Sequence, residues 1–426
     1  MNSYQTPSSD RRLRIATLCV GIVIAVLLAA LLLGGGSVSK ERLQSTVEAE
    51  VAGAVRHMTY EAGDTYEITI QSDAGGDLLA ASRGLLSSVR IEASFRTRDA
   101  LSRPTGTQQL SGAGVIYRLN KDMGEAYIIT NYHVIYLAEA LTKGGISDDI
   151  RLYLYGMESP DYAIAATFVG GSPYYDIAVL KVSGSPLLRA SSAVAATFAD
   201  SDKVSVLETA IAIGNPAAGG ISATVGHVNV DSELISMSLV TDERQTVDMR
   251  VIRIDTAVNS GNSGGGLFNA HGEVIGIVNA KVADQGVENI GYAIPANIAK
   301  NVADNILYYC DGTEEVRVYR CLLGIKVEAA TSATVYDVQS GRVGITEQVK
   351  ITSVQPSAPV AGELREGDIL TSVRIGDTQK SITRTFHIVD FMLTARVGDT
   401  VTITYLRDGT RHTATFTITE QSLAAY

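Results

Sequence analysis

A serine set in a run of glycines is the place where this chain could do chemistry: Val258-Asn259-Ser260-Gly261-Asn262-Ser263-Gly264-Gly265-Gly266 lies between two apolar stretches that read as strands. Attack on a carbonyl carbon needs a hydroxyl exposed on a tight turn and backbone N–H groups aimed where negative charge develops. Glycine lets the backbone come that close. Ser263 is the candidate nucleophile, with the N–H groups of Gly261 and Ser263 as candidate oxyanion donors. Taken alone, the run also reads as an ordinary Gly/Asn/Ser turn. A serine hydroxyl is inert without a base, and the base needs a carboxylate to orient it. Both partner types stand upstream. His133 follows the β-branched strand in Tyr127-Ile128-Ile129-Thr130-Asn131-Tyr132-His133, and Asp176 opens the apolar strand Asp176-Ile177-Ala178-Val179-Leu180.

The chain order His, Asp, Ser is that of chymotrypsin-like proteases, whereas subtilisins and α/β-hydrolases run differently. The spacing leaves room for one β-barrel to supply His133 and Asp176 and a second to supply Ser263. Three further stretches add to the match: Ala212-Ile213-Gly214-Asn215-Pro216, Asp255-Thr256-Ala257-Val258-Asn259 and Gly291-Tyr292-Ala293-Ile294-Pro295. With these the chain resembles the HtrA (DegP-like) family of trypsin-like serine proteases, which carry a PDZ domain after the protease. It departs from the family at Ser260 and Gly266, where proline is usual, at Ala113, where the family has serine, and at His227, within the family's Gly-Ile-Val. None of these touches the three candidate residues.

The resemblance implies a mostly β protein: a chymotrypsin-like double β-barrel protease followed by a PDZ domain, behind one N-terminal transmembrane helix. The expected layout is a tail over 1–14, a membrane helix over 15–33, a stalk over 34–80, the protease over 81–300, a linker over 301–315 and the PDZ domain over 316–426. The implied activity is a serine endopeptidase acting on unfolded or misfolded proteins, without cofactor or metal, assembled as a homotrimer and regulated by peptide C-termini at the PDZ domain. Two alternatives stay open. One is a chaperone or peptide-binding protein whose triad is resting or inactive; the other is a signalling protease that cuts one membrane partner.

Composition is compatible with this layout. A chain of 426 residues exceeds one ordinary domain. Its 40 glycines and frequent Val, Ile and Thr suit strands joined by turns. A net charge of −11 argues against nucleic acid as a partner, because phosphate binding needs a basic face. No Walker-type loop and no clustered Cys/His pattern is present, which leaves neither an ATP site nor a metal site in view.

The positioning elements begin with an uncharged apolar run from Ile15 to Leu33, close to the ~20 residues a spanning helix needs. Arg11, Arg12 and Arg14 precede it, so the positive-inside rule places the N-terminus in the cytoplasm and the catalytic and PDZ domains outside. The run is longer than the ~7–15 residues of a cleaved signal peptide, which remains the alternative. Leu43, Val47, Val51 and Val55 recur at helical spacing and predict an amphipathic stalk helix. Cys310 and Cys321 both fall on the outer side and flank an acidic turn, where they could close a disulfide or stay as free thiols.

The remaining site expectations come from the resemblance. Ile290, Gly291 and Tyr292 would form a wall of the pocket for the side chain before the scissile bond. No acidic residue stands there, so small apolar side chains are the expected preference, although Ile290 also reads as plain core. Leu323-Gly324-Ile325 resembles the loop with which PDZ domains grip a peptide carboxylate, a segment from Thr383 to Ala395 would be the groove helix, and strands over Thr400–Arg407 and Thr413–Thr419 would close the domain. His57, His271, His387 and His412 show no partner pattern.

Overall fold

The computed structural model describes residues 76–99, 101–280, 290–310, 317–338 and 341–426. The membrane span expected over 15–33 and the stalk helix lie outside the described residues. Among the described residues, no helix is long and apolar enough to cross a membrane.

Helix α1 (Gly76–Ser87) leads into six strands: β1 (Ser88–Arg98), β2 (Pro104–Asn120), β3 (Glu125–Thr130), β4 (Asp149–Leu154), β5 (Ile164–Ser172) and β6 (Ile177–Val182). They close into an antiparallel barrel in the order β1-β2-β3-β6-β5-β4. Side chains alternate across a strand, and in β1 the residues Val89, Ile91, Ala93 and Phe95 all point into the barrel and are buried. Residues 81–87, where the sequence places the start of the protease domain, are helical. They lie on α1, whose Ala80 and Leu85 pack at the junction of the two barrels.

After a short helix α2 (Pro186–Ala190), a second set of strands follows: β7 (Thr197–Phe198), β8 (Thr209–Gly214), β9 (Ser222–Leu239), β10 (Asp242–Ile254), β11 (Gly266–Phe268), β12 (Glu273–Val278) and β13 (Gly291–Pro295). Their order is β11-β8-β9-β10-β13-β12-β7, and pairing of β11 with β12 closes six of them into a ring. Between barrel and ring lies a shared core of Val115, Ile129, Ile177 and Val179 on one side and Ile211, Ile213, Phe268 and Ile277 on the other. Helix α3 (Ala296–Tyr309) seals this core with Ile298, Val302 and Ile306.

The C-terminal domain contains β14 (Tyr319–Cys321), β15 (Ile325–Asp337), β16 (Arg342–Val354), β17 (Ile369–Ile375), β18 (Thr378–Ser381), helix α4 (Thr385–Phe391), β19 (Thr400–Arg407), β20 (Thr410–Thr417) and β21 (Leu423–Ala425). The helix expected over 383–395 is shorter: α4 ends at Phe391 and a 3-10 turn covers Met392–Thr394. Strands β14 and β21 pair as a separate ribbon, while β15 to β20 form the main sheet.

This domain is docked on the protease through buried polar groups. Asn305 of α3, 0% exposed, accepts from the Tyr319 N–H at 2.9 Å and donates to the Tyr319 carbonyl at 2.7 Å. Arg250 of β10 meets Asp390 at 2.7 Å and Asp202 at 3.2 Å, Lys380 meets Asp202 at 2.5 Å, and Arg384 meets Asp231 at 3.0 Å. Such pairs add little net stability but penalise any separation that leaves a charge buried alone.

The cysteines do not form the disulfide considered above: both are free thiols. Cys321 is 2% exposed and faces the apolar core of the C-terminal domain, whereas Cys310 is exposed just past the end of α3. Burial pushes the Cys321 thiol up to about 11, so it stays protonated and unreactive.

Candidate active site

His133 and Asp176 come from neighbouring strands of the first barrel. His133 lies on a single 3-10 turn (Tyr132–Val134) just past β3, and Asp176 immediately precedes β6, the strand paired with β3. The His133 Nδ1 is 2.7 Å from Asp176 Oδ2, and the His133 backbone N–H donates to Oδ1 at 3.0 Å. Asp176 is 0% exposed and adopts φ +49°, a left-handed conformation that costs a non-glycine residue about 1 kcal/mol or more. Its carbonyl is held in place by the Asn131 side chain at 2.8 Å and the Tyr132 N–H at 3.2 Å.

Ser263 sits in the loop before β11 and is 5% exposed. The loop stands beside His133. The Ser263 carbonyl accepts from the Ala113 N–H at 2.9 Å, and a Cβ added to Gly112 would lie 3.1 Å from that carbonyl and 2.6 Å from the side chain of Val134, next to His133. The hydroxyl accepts from the Ala280 N–H at 3.2 Å and forms no hydrogen bond to His133. Catalytic hydrogen bonds are often loose without substrate and tighten when the cleft is filled.

The two candidate oxyanion donors are unengaged. Neither the Gly261 nor the Ser263 N–H donates to any group among the described residues. Gly261 adopts φ +98°, and a side chain there would overlap the Asn215 carbonyl. The supporting loop is Asn215 to Gly220: the Asn215 N–H donates to the Gly261 carbonyl at 3.1 Å and the Ala217 N–H to the Ser260 carbonyl at 2.9 Å. Asn215 is fully buried, with its amide on Ser111 Oγ at 2.8 Å and its side-chain oxygen on the Gly220 N–H at 2.9 Å.

One further residue belongs to the site. Asn279, 0% exposed, donates to Asp176 Oδ2 at 2.9 Å, so that carboxylate oxygen has two donors. Asn279 and its neighbour Ala280 therefore touch Asp176 and Ser263 in turn. Nothing in the sequence pattern picked out Asn279, because a lone asparagine after an apolar strand reads as a strand end.

Of the expected pocket residues, Gly291 lies against Val258, and a Cβ there would come within 2.9 Å of the Val258 side chain. Tyr292 points to the other side of β13, where it packs at the edge of the core between the barrels, and Ile290 is half-buried. In the C-terminal domain, Leu323 is buried in the core and Gly324 takes φ +65°. The N–H groups of Leu323 and Gly324 donate to no group among the described residues, and β15, which starts at Ile325, runs alongside α4.

Two packed β-barrels with a serine loop facing a His–Asp pair, followed by a PDZ-type sheet and helix, define a trypsin-like serine protease with an appended PDZ domain. Residues 112–277 match the trypsin-like peptidase domain and residues 321–418 match the PDZ domain. The chain is 33% identical over 330 residues to the serine protease Do-like HtrA of Lactococcus lactis subsp. lactis, covering 75% of this chain and 74% of that one. It is also 33% identical over 301 residues to the periplasmic serine endoprotease DegP of Escherichia coli, covering 70% of this chain and 54% of that one. A solved structure of the HtrA-type protease AlgW with decapeptide aligns at 26% identity over 82% of this chain and 98% of that chain, with a TM-score of 0.49. The chain belongs to the HtrA family of serine proteases.

Proposed function

We propose that this serine endopeptidase is anchored in the membrane by residues 15–33, faces outward, and degrades unfolded or misfolded proteins through a triad of His133, Asp176 and Ser263. What supports the triad is the 2.7 Å contact between His133 and a buried Asp176, set beside a serine loop whose two candidate oxyanion N–H groups are unoccupied.

In the proposed reaction His133 Nε2 takes the Ser263 proton as Oγ attacks the scissile carbonyl carbon. Negative charge moves onto the carbonyl oxygen, between the N–H groups of Gly261 and Ser263. Collapse of this intermediate breaks the C–N bond, and His133 gives its proton to the leaving amine. Water, giving one proton to His133, then attacks the acyl carbon, and as the bond from that carbon to Oγ breaks His133 returns the proton to Ser263. Asp176 keeps the Nδ1–H tautomer in place and stabilises the imidazolium throughout. The pocket beside Gly291 and Ile290 would take small apolar side chains, Leu323-Gly324-Ile325 would hold a peptide carboxylate, and the assembled form would be a homotrimer.

The test is cleavage of casein by the full-length chain in detergent beside its Ser263→Ala variant. Cleavage by the wild type that vanishes in the variant carries the proposal; equal cleavage by both ends it. The bond from Ala280 to Ser263 favours a second reading, in which the hydroxyl rests until a peptide or substrate arrives. Labelling of Ser263 by a fluorophosphonate without casein cleavage would select that resting state, and no labelling would favour a chaperone or binding role.

A further inference from the structure

Arg320 lies where the C-terminal domain meets the loop that carries Asp176. Strand β14 pairs antiparallel with β21, with Arg320 opposite Ala424. Side chains alternate along β14. Cys321 faces the core of the C-terminal domain, so Arg320 faces the protease. Its Nη1 donates to the Tyr175 hydroxyl and its Nη2 to the Tyr426 hydroxyl, each at 2.6 Å, and the guanidinium stacks 4.1 Å over the Tyr426 ring. Tyr174 completes the cluster, with its ring edge-on to Tyr175 at 4.9 Å and to Tyr426 at 5.0 Å.

The residue after Tyr175 is Asp176, buried and left-handed. A strained aspartate relaxes unless its surroundings fix the turn on both sides. On the far side Asn131 and Tyr132 bond its carbonyl. On the near side Tyr175, 6% exposed, bonds Ser172 Oγ through its N–H at 3.3 Å and Arg320 through its hydroxyl. Arg320 is itself fixed from behind, because Asn305 bonds both the N–H and the carbonyl of the preceding Tyr319.

We propose that Arg320 is a positioning residue for the proteolytic reaction: by gripping the Tyr175 hydroxyl from the C-terminal domain, it holds the turn that aims the Asp176 carboxylate at His133. This inference rests on reading His133, Asp176 and Ser263 as the triad. It makes the C-terminal domain part of the support for catalysis, through one side chain, independently of any peptide in its groove.

The experiment uses the full-length chain in detergent and a short chromogenic peptide that needs no second binding site. Arg320→Met keeps the apolar stem and removes the donors; it should lower kcat about tenfold or more while KM stays within about threefold, as expected when alignment and not binding is lost. The acid limb of kcat/KM should move to lower pH, because the imidazolium loses its carboxylate. Tyr175→Phe should reproduce both effects, and the double variant should be no worse than either single one. Arg320→Lys, a point charge in place of a fork, should fall between. Unchanged kcat and acid limb in Arg320→Met, or losses that add in full in the double variant, would overturn the proposal. Should Arg320→Met fail to show a cooperative melt, Tyr175→Phe, which removes one oxygen atom, decides alone: wild-type kcat overturns it. Ser263→Ala run beside these separates the two levels: activity surviving there overturns the triad on which this inference rests, whereas activity lost there with wild-type kcat in Arg320→Met overturns the inference alone.

Discussion

Replacing Asn279 by leucine removes one hydrogen bond from a carboxylate that has no water to turn to. Asp176 is 0% exposed, and its three donors are the His133 backbone N–H at 3.0 Å, His133 Nδ1 at 2.7 Å and the Asn279 amide at 2.9 Å. A hydrogen bond to a charged group contributes ~1.5–3 kcal/mol. If most of that loss falls on the alignment of Asp176 and His133 at the transition state, kcat/KM should drop about 10- to 100-fold, or about 1.4–2.7 kcal/mol. Stability should change much less. The Asn279 side-chain oxygen is already buried without a partner, a penalty of ~1–3 kcal/mol that leucine removes along with the bond. The two effects oppose and leave a net change of about 1 kcal/mol in either direction. There is also a sign in the pH profile: with the carboxylate less well aligned the imidazolium loses part of its stabilisation, and the acid limb of kcat/KM moves to lower pH, as expected for Arg320→Met.

The assay is peptide hydrolysis from pH 5 to 9, normalised to sites titrated with a fluorophosphonate, with a thermal melt of the same samples. Wild-type kcat/KM per titrated site and an unmoved acid limb would refute the reasoning. So would a fall in melting temperature of many degrees with normal kinetics, which would make Asn279 a packing residue alone.

Gly261→Ala should fold but lose about 100- to 1,000-fold in kcat, because the new methyl group meets the Asn215 carbonyl and turns an oxyanion donor away; labelling and hydrolysis should fall together. Ala217 sits at φ +53° beside that loop, so Ala217→Gly should raise stability by up to about 1 kcal/mol, read as the melting temperature. His387, packed among Asp202, Lys380, Arg250 and Arg384, is brought down to about 4 mainly by burial, so its contribution to stability is present above 6.5 and is lost as pH falls toward 4. Asp390 beside it, raised to about 6 mainly by burial, runs the other way: its contribution is present below 3.8 and is lost as pH rises through 6. His387→Gln should therefore melt higher than the wild type between pH 4 and 5.5 and show no such gain at pH 7.5.

The residues proposed to do the chemistry were legible because their types are rare in their settings. A histidine ending a β-branched strand, an aspartate opening an apolar one and a serine among glycines each break a local rule, and breaks of that kind concentrate at functional sites. The barrel strands were legible for the opposite reason: in β1 the inward residues Val89, Ile91, Ala93 and Phe95 keep strict alternation. The outer part of the β9–β10 hairpin was not legible, because Asp231, Ser232, Glu233 and Asp242 to Gln245 carry no alternation of apolar and polar residues. Strand β21 was missed because Leu423-Ala424-Ala425 is too short to show a period, and it exists through its pairing with β14.

The supports of the site were hidden for a deeper reason. Asn279, Asn305 and Arg320 are lone polar residues, for which a strand end or a solvated side chain is the ordinary reading. Each acquires its role from a partner far along the chain: Asn279 from Asp176, Asn305 from Leu393, Arg320 from Tyr175 and Tyr426. A nucleophile must be built locally, since its hydroxyl and its oxyanion donors share one turn. The supports of its base and carboxylate can come from any element that packs nearby, and the role proposed for Arg320, through the Tyr175 hydroxyl, would make the C-terminal domain one of them. A sequence pattern can therefore announce which atoms react, while the groups that keep those atoms in line emerge only when the two domains are docked.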